Sequence, residues 1–493
     1  MPESHLSPAD LTVLVAYLAA VIGCGAWFAR RQGDADEYMS AHRSLPGWVI
    51  GLSMFGSYVS SISFLANPGN SYAGNWNAFV FSLTTPIAAA AAVRWFVPFF
   101  RHSGEVSAYE HLEHRFGPWA RTYAVVCFLL YQTSRMGTVV LLLGMAVSPL
   151  TGWSVPVMII CTGALMTIYT MAGGIKAVVW IGALQSLVLV AGTAACILAV
   201  VWKIPGGVEE IARTGMEFDK FSLGSFSGSL TTPTFWVIFA YGLVINLSNF
   251  ATDQSYVQRY ITARDDREAR QSVWLTAALY VPTSAVFFFI GTGLFVLYRE
   301  QPQLLAGITK ADQVFPHFIA TELPTGMAGL VVAAIFAASM DSNLNSMATL
   351  TLCDIYKRYF RPQAGERESL RVLQLSTLGW GIAGTVMALA MIRVEGALDA
   401  WWKLAGLFSG GVIGLFLLGL TTRASNAAGL LGTIVGLIVI SWMMLPSLVD
   451  VPSAMRSPLD ANLTIVVGTL TIFLVGLIAS KFLGHGDVRR PEL

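Results

Sequence analysis

Thirteen stretches of mostly apolar sequence recur along this chain, each near the length of about 20 residues that a helix needs to cross a bilayer. They lie near 11–29, 45–67, 77–100, 120–150, 154–172, 177–202, 233–251, 273–298, 325–350, 374–393, 398–421, 427–448 and 463–483. We call the first the leading span, the next ten spans 1 to 10, and the last two the trailing spans. Only 12% of the 493 residues are charged, whereas soluble domains carry about 25%. Half of the usual solvated surface is missing, so lipid takes the place of water. Long apolar runs, rather than short alternating segments, exclude an outer-membrane barrel. The fold class is an all-α polytopic membrane protein, a single transmembrane domain over 1–493. The loops near 204–232 and 299–324 are too short for a soluble module.

Orientation follows from the loops, because Lys and Arg gather on the cytoplasmic side. With the N-terminus outside, twenty of the thirty basic residues fall inside, among them Arg30, Arg31, Arg43, Arg259, Arg264, Arg267 and Arg270. Seven fall outside, Lys220 included, and only Arg94, Arg135 and Lys403 fall within spans. The prediction is a multi-pass protein of the plasma (bacterial inner) membrane, N-terminus out and C-terminus in. Met1 to Asp10 hold no Lys or Arg, so the leading span lacks the basic n-region of a cleavable signal. A formal charge of +1 gives no support for a nucleic-acid partner. Cys24, Cys127, Cys161, Cys196 and Cys353 sit in or beside apolar stretches without CxxC spacing and read as small core residues.

Backbone that leaves the helix inside a membrane survives only within protein or around a cavity. Span 1 crowds Gly51, Gly56 and five serines between positions 51 and 63, followed by Asn67, Pro68 and Gly69. Such a segment can unwind and present carbonyl oxygens to a cation; close helix contact through small residues is the other reading. Span 6 has a similar polar centre at Asn246, Ser248, Asn249, Thr252, Asp253 and Gln254. It lies five spans after span 1, and an odd offset inverts topology. Two interrupted helices in corresponding positions of inverted halves point to a transporter's midplane site. In span 8, Asp341 has Ser339, Ser342 and Asn345 as companions, a set of hard oxygens suited to an alkali cation, or else a buried Asp held between helices. Arg135 in span 3 is costly at depth, and its planar fork suits a solute carboxylate. It could equally pair with Asp341 or snorkel. Arg94, near the basic end of span 2, reads as a snorkelling residue, and Lys403 beside Trp401 and Trp402 as part of an interfacial belt.

A passive channel would need a continuous polar stripe, whereas the polar residues here cluster near midplane. A receptor would need a signalling domain, and none follows the last span. An enzyme finds no support in the histidines, which lie outside the spans or at their edges. His111 and His114, with Glu110 on one helix face, read as a solvated amphipathic turn.

The residues now quoted resemble the sodium:solute symporter family over almost the whole chain. The resemblance is carried by Gly51 to Phe64, Ser107 to Phe116, Gly173 to Trp180, Asp253 to Tyr260, and Ala333 to Ser346 running on to Tyr356. Within the family the pattern is most similar to the bacterial sialic acid branch, which shares the layout of about 13 helices and an arginine matching Arg135. This resemblance implies the leucine-transporter-type inverted repeat of five plus five helices over about 45–421, alternating access, and import of a small solute with sodium as the coupling ion. It implies a sodium site at the carbonyls of Gly56, Val59 and Ile335, completed by hydroxyls at positions that here read Ala338 and Ser339. One hydroxyl is therefore missing. The implied solute wall comprises Ser57, Tyr58, Ser60, Ser63, Ser82 and Arg135, with Asn246 from span 6.

Two departures matter. An aspartate that binds an extra sodium in the sialic acid branch falls at Gly182 here, while the span 8 positions serving that site read Asp341 and Ser342. The hypothesis is a carboxylate moved from span 5 to span 8. Tyr58 and Ser82 also replace a smaller and a longer polar residue, so the solute could be sialic acid, another sugar acid or a monocarboxylate. Proton coupling through Asp341, or a neutral sugar if Arg135 is paired internally, stays open on sequence alone.

Overall fold

A computed structural model describes residues 6–30, 33–305, 308, 311–339, 343–393, 411–448, 451–452 and 455–483. Among them the regular structure is helical, apart from one parallel bridge between Leu45 and Ala263. Helix starts follow the sequence. Ser7 and Asp10 form a reciprocal capping box ahead of Pro8–Ala29. Thr234 caps Phe235–Ala251, and Asp265 caps Asp266–Glu300. Asp10 reaches further, accepting from the backbone N–H groups of Gly326 (2.8 Å) and Gly329 (2.7 Å), and so ties the leading span to the start of span 8.

Nine helices of the described residues are long and apolar enough to cross a membrane, or eleven if each of two bent pairs is one span. The expected count of thirteen differs for identifiable reasons. Spans 4 and 5 run as one 49-residue helix, Val155–Lys203, interrupted where Gly174 takes φ 57° and ψ −156°. That conformation is open to glycine and strained for other residues. At 1.5 Å per residue such a helix would extend about 74 Å, more than twice the hydrocarbon thickness. Of span 10, only Val412–Thr421 is described, and Lys403 lies outside the described residues.

The bent pairs are span 1, Gly47–Tyr58 followed by Ser61–Ala73 at 51°, and span 6, Phe235–Ala251 followed by Gln254–Ile261 at 48°. Span 1 lies between span 7 (Asp266–Glu300) and the second half of Val155–Lys203. Its glycines permit that approach: a Cβ on Gly51 would sit 2.9 Å from the Ser272 carbonyl, and one on Gly56 2.6 Å from Ser186 Oγ. Span 1 therefore has both a close contact and a break. The glycines serve close contact, and the break comes one turn later, at Val59 and Ser60.

The end of the bundle that carries most Lys and Arg is closed by buried polar bonds. Gln258 Nε2 donates to the carbonyl of Met39 (2.7 Å), Asn345 Oδ1 (2.9 Å) and Thr349 Oγ1 (2.9 Å). Asn345 Nδ2 in turn donates to the Tyr38 carbonyl (3.1 Å). Arg121 pairs with Asp354 (2.5 Å), which also accepts from Ser107 Oγ (2.8 Å). At this end Leu45 N–H donates to the Thr262 carbonyl (3.0 Å) and Arg264 N–H to the Leu45 carbonyl (3.2 Å), forming the bridge that joins the starts and ends of the two bent pairs.

Two sequence expectations change here, at His111 and Cys161, and an outer-loop lysine proves buried. His111 is buried rather than solvated, edge-on to Phe99 at 4.9 Å, and burial pushes its pKa down to about 4. Lys220 is buried too, donating to the carbonyls of Tyr72 (2.8 Å) and Gly74 (2.9 Å). Cys161 is exposed on a membrane-facing helix, unlike the buried Cys127 and Cys196.

Candidate functional site

The site begins with what breaks span 1. Val59 leaves the helix at φ −90° and ψ 84°, Ser60 is extended, and no side chain caps the helix that follows. The last bond of the first half runs from Val59 N–H to the Phe55 carbonyl (3.1 Å), and the second half opens with Phe64 N–H to the Ser60 carbonyl (2.9 Å). The carbonyls at the end of the first half lie outside its ladder, as at any helix C-terminus, but here they do so inside protein. Arg135 answers one of them: its Nη2 donates to the Ser57 carbonyl at 2.9 Å. Arg259 Nη1 donates to the Ser57 hydroxyl. Two guanidinium groups thus converge on one residue, from span 3 and from the second half of span 6.

Arg135 also lines a cavity of about 20 Å³ with Ser60, Gln132, Ala338, Ser339 and Asn343. That volume holds about one water, or an ion of similar size. Its walls supply hard oxygens. Ser339, fully buried, gives its proton to the Ile335 carbonyl (2.7 Å), so its lone pairs stay free to accept. Asn343 donates to Gln132 Oε1 (2.8 Å), and its own Oδ1 is buried without a hydrogen-bond partner among the described residues. This donor set fits an alkali cation, with Ala338 contributing no ligand of its own through its side chain. Gln132 Nε2 reaches Asp253 Oδ2 at 3.0 Å, so the cavity is tied to the break in span 6. There Asp253 caps the second half, accepting from Ser255 N–H (2.8 Å) and Oγ (2.6 Å).

The structure brings Ser57, Ser60, Arg135, Ala338 and Ser339 together and leaves other expected residues elsewhere. Tyr58 is wedged among Phe250, Tyr256 and Tyr280, with ring centroids 5.0–5.5 Å away. Ser82 bonds Ser284 at 2.7 Å between spans 2 and 7. Asn246 donates to the Phe81 carbonyl (3.1 Å) and Thr84 Oγ1 (2.9 Å), between spans 6 and 2. Asn345, expected beside Asp341, has both ends of its amide engaged in the closed basic end. Asp341 and Ser342 lie outside the described residues.

Gly182 explains one departure sterically. A Cβ there would meet Ser53 Oγ at 2.6 Å and Ser53 Cα at 3.3 Å, so span 1 occupies the space an aspartate would need. Arg259 corrects another expectation. It is fully buried within Gln254–Ile261 and is no loop charge. Gln132, Asn343 and Arg259 escaped the sequence reading. Gln132 did leave a signal: three residues before Arg135, it shares that residue's helix face.

The sodium/sialic acid symporter SiaT of Proteus mirabilis (strain HI4320) is 34% identical over 480 residues, 96% of this chain and 94% of that protein. The sodium/sialic acid symporter NanT of Aliivibrio fischeri (strain ATCC 700601 / ES114) is 33% identical over 490 residues, 97% and 94% of the two chains. The solved structure of a Na+-coupled sialic acid symporter, substrate-bound and outward-open, superposes with TM-score 0.89 at 29% identity, covering 98% of this chain and 100% of that one. A nucleobase-cation-symport-1 family transporter, Mhp1, shares the fold at TM-score 0.58 and 16% identity, covering 90% and 94%. The family model for sodium:solute symporters matches residues 38–436. The chain belongs to the sodium:solute symporter family, and sodium is its coupling ion.

Proposed function

We propose that this chain imports a carboxylate-bearing solute of the sialic acid class together with sodium, by alternating access across the bacterial inner membrane. The observation that carries the reading is the Arg135 fork, held on a carbonyl freed by the span 1 break and opening on the cavity it shares with Ser60 and Ser339. In a low-dielectric site a guanidinium opposes a sodium ion beside it, and a carboxylate opposite Arg135 removes that opposition. Solute and sodium then favour each other's binding, and that favour is reciprocal.

In this reading the carbonyls of Gly56, Val59 and Ile335 and the hydroxyl of Ser339 take the sodium, with Ala338 marking the absent second hydroxyl. Ser57, Ser60 and Ser63 accompany Arg135 at the solute, while Tyr58, Ser82 and Asn246 brace the bundle behind them. Asp341 and Ser342 supply the carboxylate and hydroxyl that Gly182 cannot. The whole chain forms one domain of 13 spans, N-terminus outside, with a five-plus-five inverted repeat. Two bent pairs five spans apart support the repeat. Spans 1, 2, 6 and 7 rock as a bundle against the rest.

Thermal unfolding of the purified protein in sodium or potassium, against sialic acid, other sugar acids, monocarboxylates and neutral sugars, tests this. One carboxylate should stabilise by about 2.7 kcal/mol at about 100 times its Kd, and only in sodium. An equal response in both salts, or to a neutral sugar, would overturn the reading. In Asp341→Asn the sodium response should fall sharply; an unchanged response sinks the relocated carboxylate alone.

A further inference from the structure

On the flank of the molecule a second cavity, of about 640 Å³, lies between the basic ends of spans 2 and 7. Span 2 is irregular where it borders this space. Pro98 has no N–H to give the Arg94 carbonyl, and Val97 N–H reaches back five residues to Ala92, so the helix widens into a π turn over Ala92–Phe96. The wide turn presents Arg94 and Trp95 outward, both exposed. Span 7 supplies Arg270 and Trp274 from the other side.

The charge on this cavity is unbalanced. Asp266, which pairs with the cavity's own His102 (Nε2, 3.2 Å), is also engaged by Arg101 at 2.5 Å. Arg270 follows Asp266 by one turn and adds only a through-space attraction to it. Arg94 has no ion-pair or hydrogen-bond partner among the described residues and lies near the basic end of its span, where a long cationic side chain reaches the headgroup level. His102 and Ser103 add polar groups at one edge, and the rest of the wall is apolar or aromatic, with Trp95 49% and Trp274 44% exposed. Tryptophan at this level marks the boundary between hydrocarbon and headgroups.

We infer that this cavity binds the phosphodiester headgroup of an anionic phospholipid. Arg94 and Arg270 take the phosphate from two sides, and Trp95 and Trp274 flank the glycerol and the upper acyl chain. Two guanidinium groups with no free acid between them suit a net negative headgroup and disfavour one that brings its own ammonium. The apolar walls favour a lipid over a free phosphate, although both offer the same oxygens. The proposed orientation enters only in naming the leaflet, which would be the inner one. The site is separate from the Arg135 cavity.

The test uses the full chain in nanodiscs of phosphatidylcholine, with or without phosphatidylglycerol. Native mass spectrometry counts the retained lipid, and thermal unfolding reports stability. The wild type should retain phosphatidylglycerol in preference to phosphatidylcholine and melt higher with it. The double variant Arg94→Gln with Arg270→Gln should bind it about 25-fold more weakly, roughly fivefold for each arginine. The charge-keeping pair Arg94→Lys with Arg270→Lys should lose much less. Sodium-dependent stabilisation should be the same in all three, which separates this site from the transport reading and shows that the variants fold. Equal retention of both lipids, or equal retention by the glutamine variant, would overturn the proposal. So would displacement of the lipid by inorganic phosphate at matched concentration, which would make the cavity a phosphate site.

Discussion

The two broken spans bend by nearly the same angle, 51° and 48°, yet they treat the broken backbone in opposite ways. At Thr252 and Asp253 the chain finishes its own joint. Thr252 N–H returns to the Ser248 carbonyl (2.8 Å), and the Asp253 carboxylate caps Ser255 and accepts from Gln132. At Val59 and Ser60 there is no side-chain cap, and the exposed carbonyl of Ser57 is met by an arginine from another span. The first joint is capped by the span's own Asp253, which Gln132 only adds to, so it is built to persist. The second depends on a cation from outside its own helix, so it can exchange that partner for another. In the proposed reading, the site that loads and releases lies at the second.

The largest test of this contrast is Arg135→Ala. It should raise the solute Kd roughly 10- to 100-fold, the range for losing a hydrogen bond to a charged group, while thermal stability without solute changes little. A large loss of stability with unaltered affinity would make Arg135 a cap like Asp253 and erase the difference. Asp253→Ala should do the converse. Loss of the cap and of its bond to Gln132 should lower stability by roughly 2–3 kcal/mol, with a smaller effect on solute affinity.

The smallest effect concerns the segment that the finished joint holds down. Gln254 donates to the Val106 carbonyl (2.8 Å) and accepts from Ala108 N–H (2.7 Å). Beside that segment, burial and the neighbouring Glu110 push the Glu105 carboxyl up from 4.5 to about 7, against the opposing pull of Arg121 and the His111 N–H. The folded state holds the proton more tightly than the unfolded chain. Ionising Glu105 therefore erodes stability as pH rises from about 4.5 to 7, and the loss is complete above that. Glu105→Gln should melt slightly higher than wild type well above pH 7 and match it near pH 4.5. A gain of equal size at both pH values would mean that packing, not charge, is responsible.

Much of this was legible in the chain itself. Apolar run length marked the spans, and crowding of Gly, Ser and Asn marked the two that break. Position was less legible, because glycine has two uses. Gly51 and Gly56 looked like points of unwinding, but their lack of a Cβ serves approach to Ser272 and Ser186. The missing carboxylate at position 182 was visible, but not that Ser53 fills its place. Arg259 was misread because counting loop charges treats the stretch after an apolar run as solvent, and here that stretch is the second half of a broken helix. The contacts joining Gln132 to Asp253 and Asn343 span 121 and 211 residues of sequence, a distance at which periodicity carries no information.

The small bridge between Leu45 and Ala263 has a mechanical meaning. It joins the foot of one bent pair to the foot of the other through main-chain atoms alone. A tilt of either foot is handed to its neighbour as through a rivet, with the bond from Arg264 Nε to the Ser44 carbonyl (2.9 Å) beside it. The rivet is indifferent to which residues stand at 45 and 263, provided proline does not remove the donor at 45. Under the proposed rocking motion the two broken helices would then travel as one lever, however much the surfaces they present to solute, ion and lipid differ.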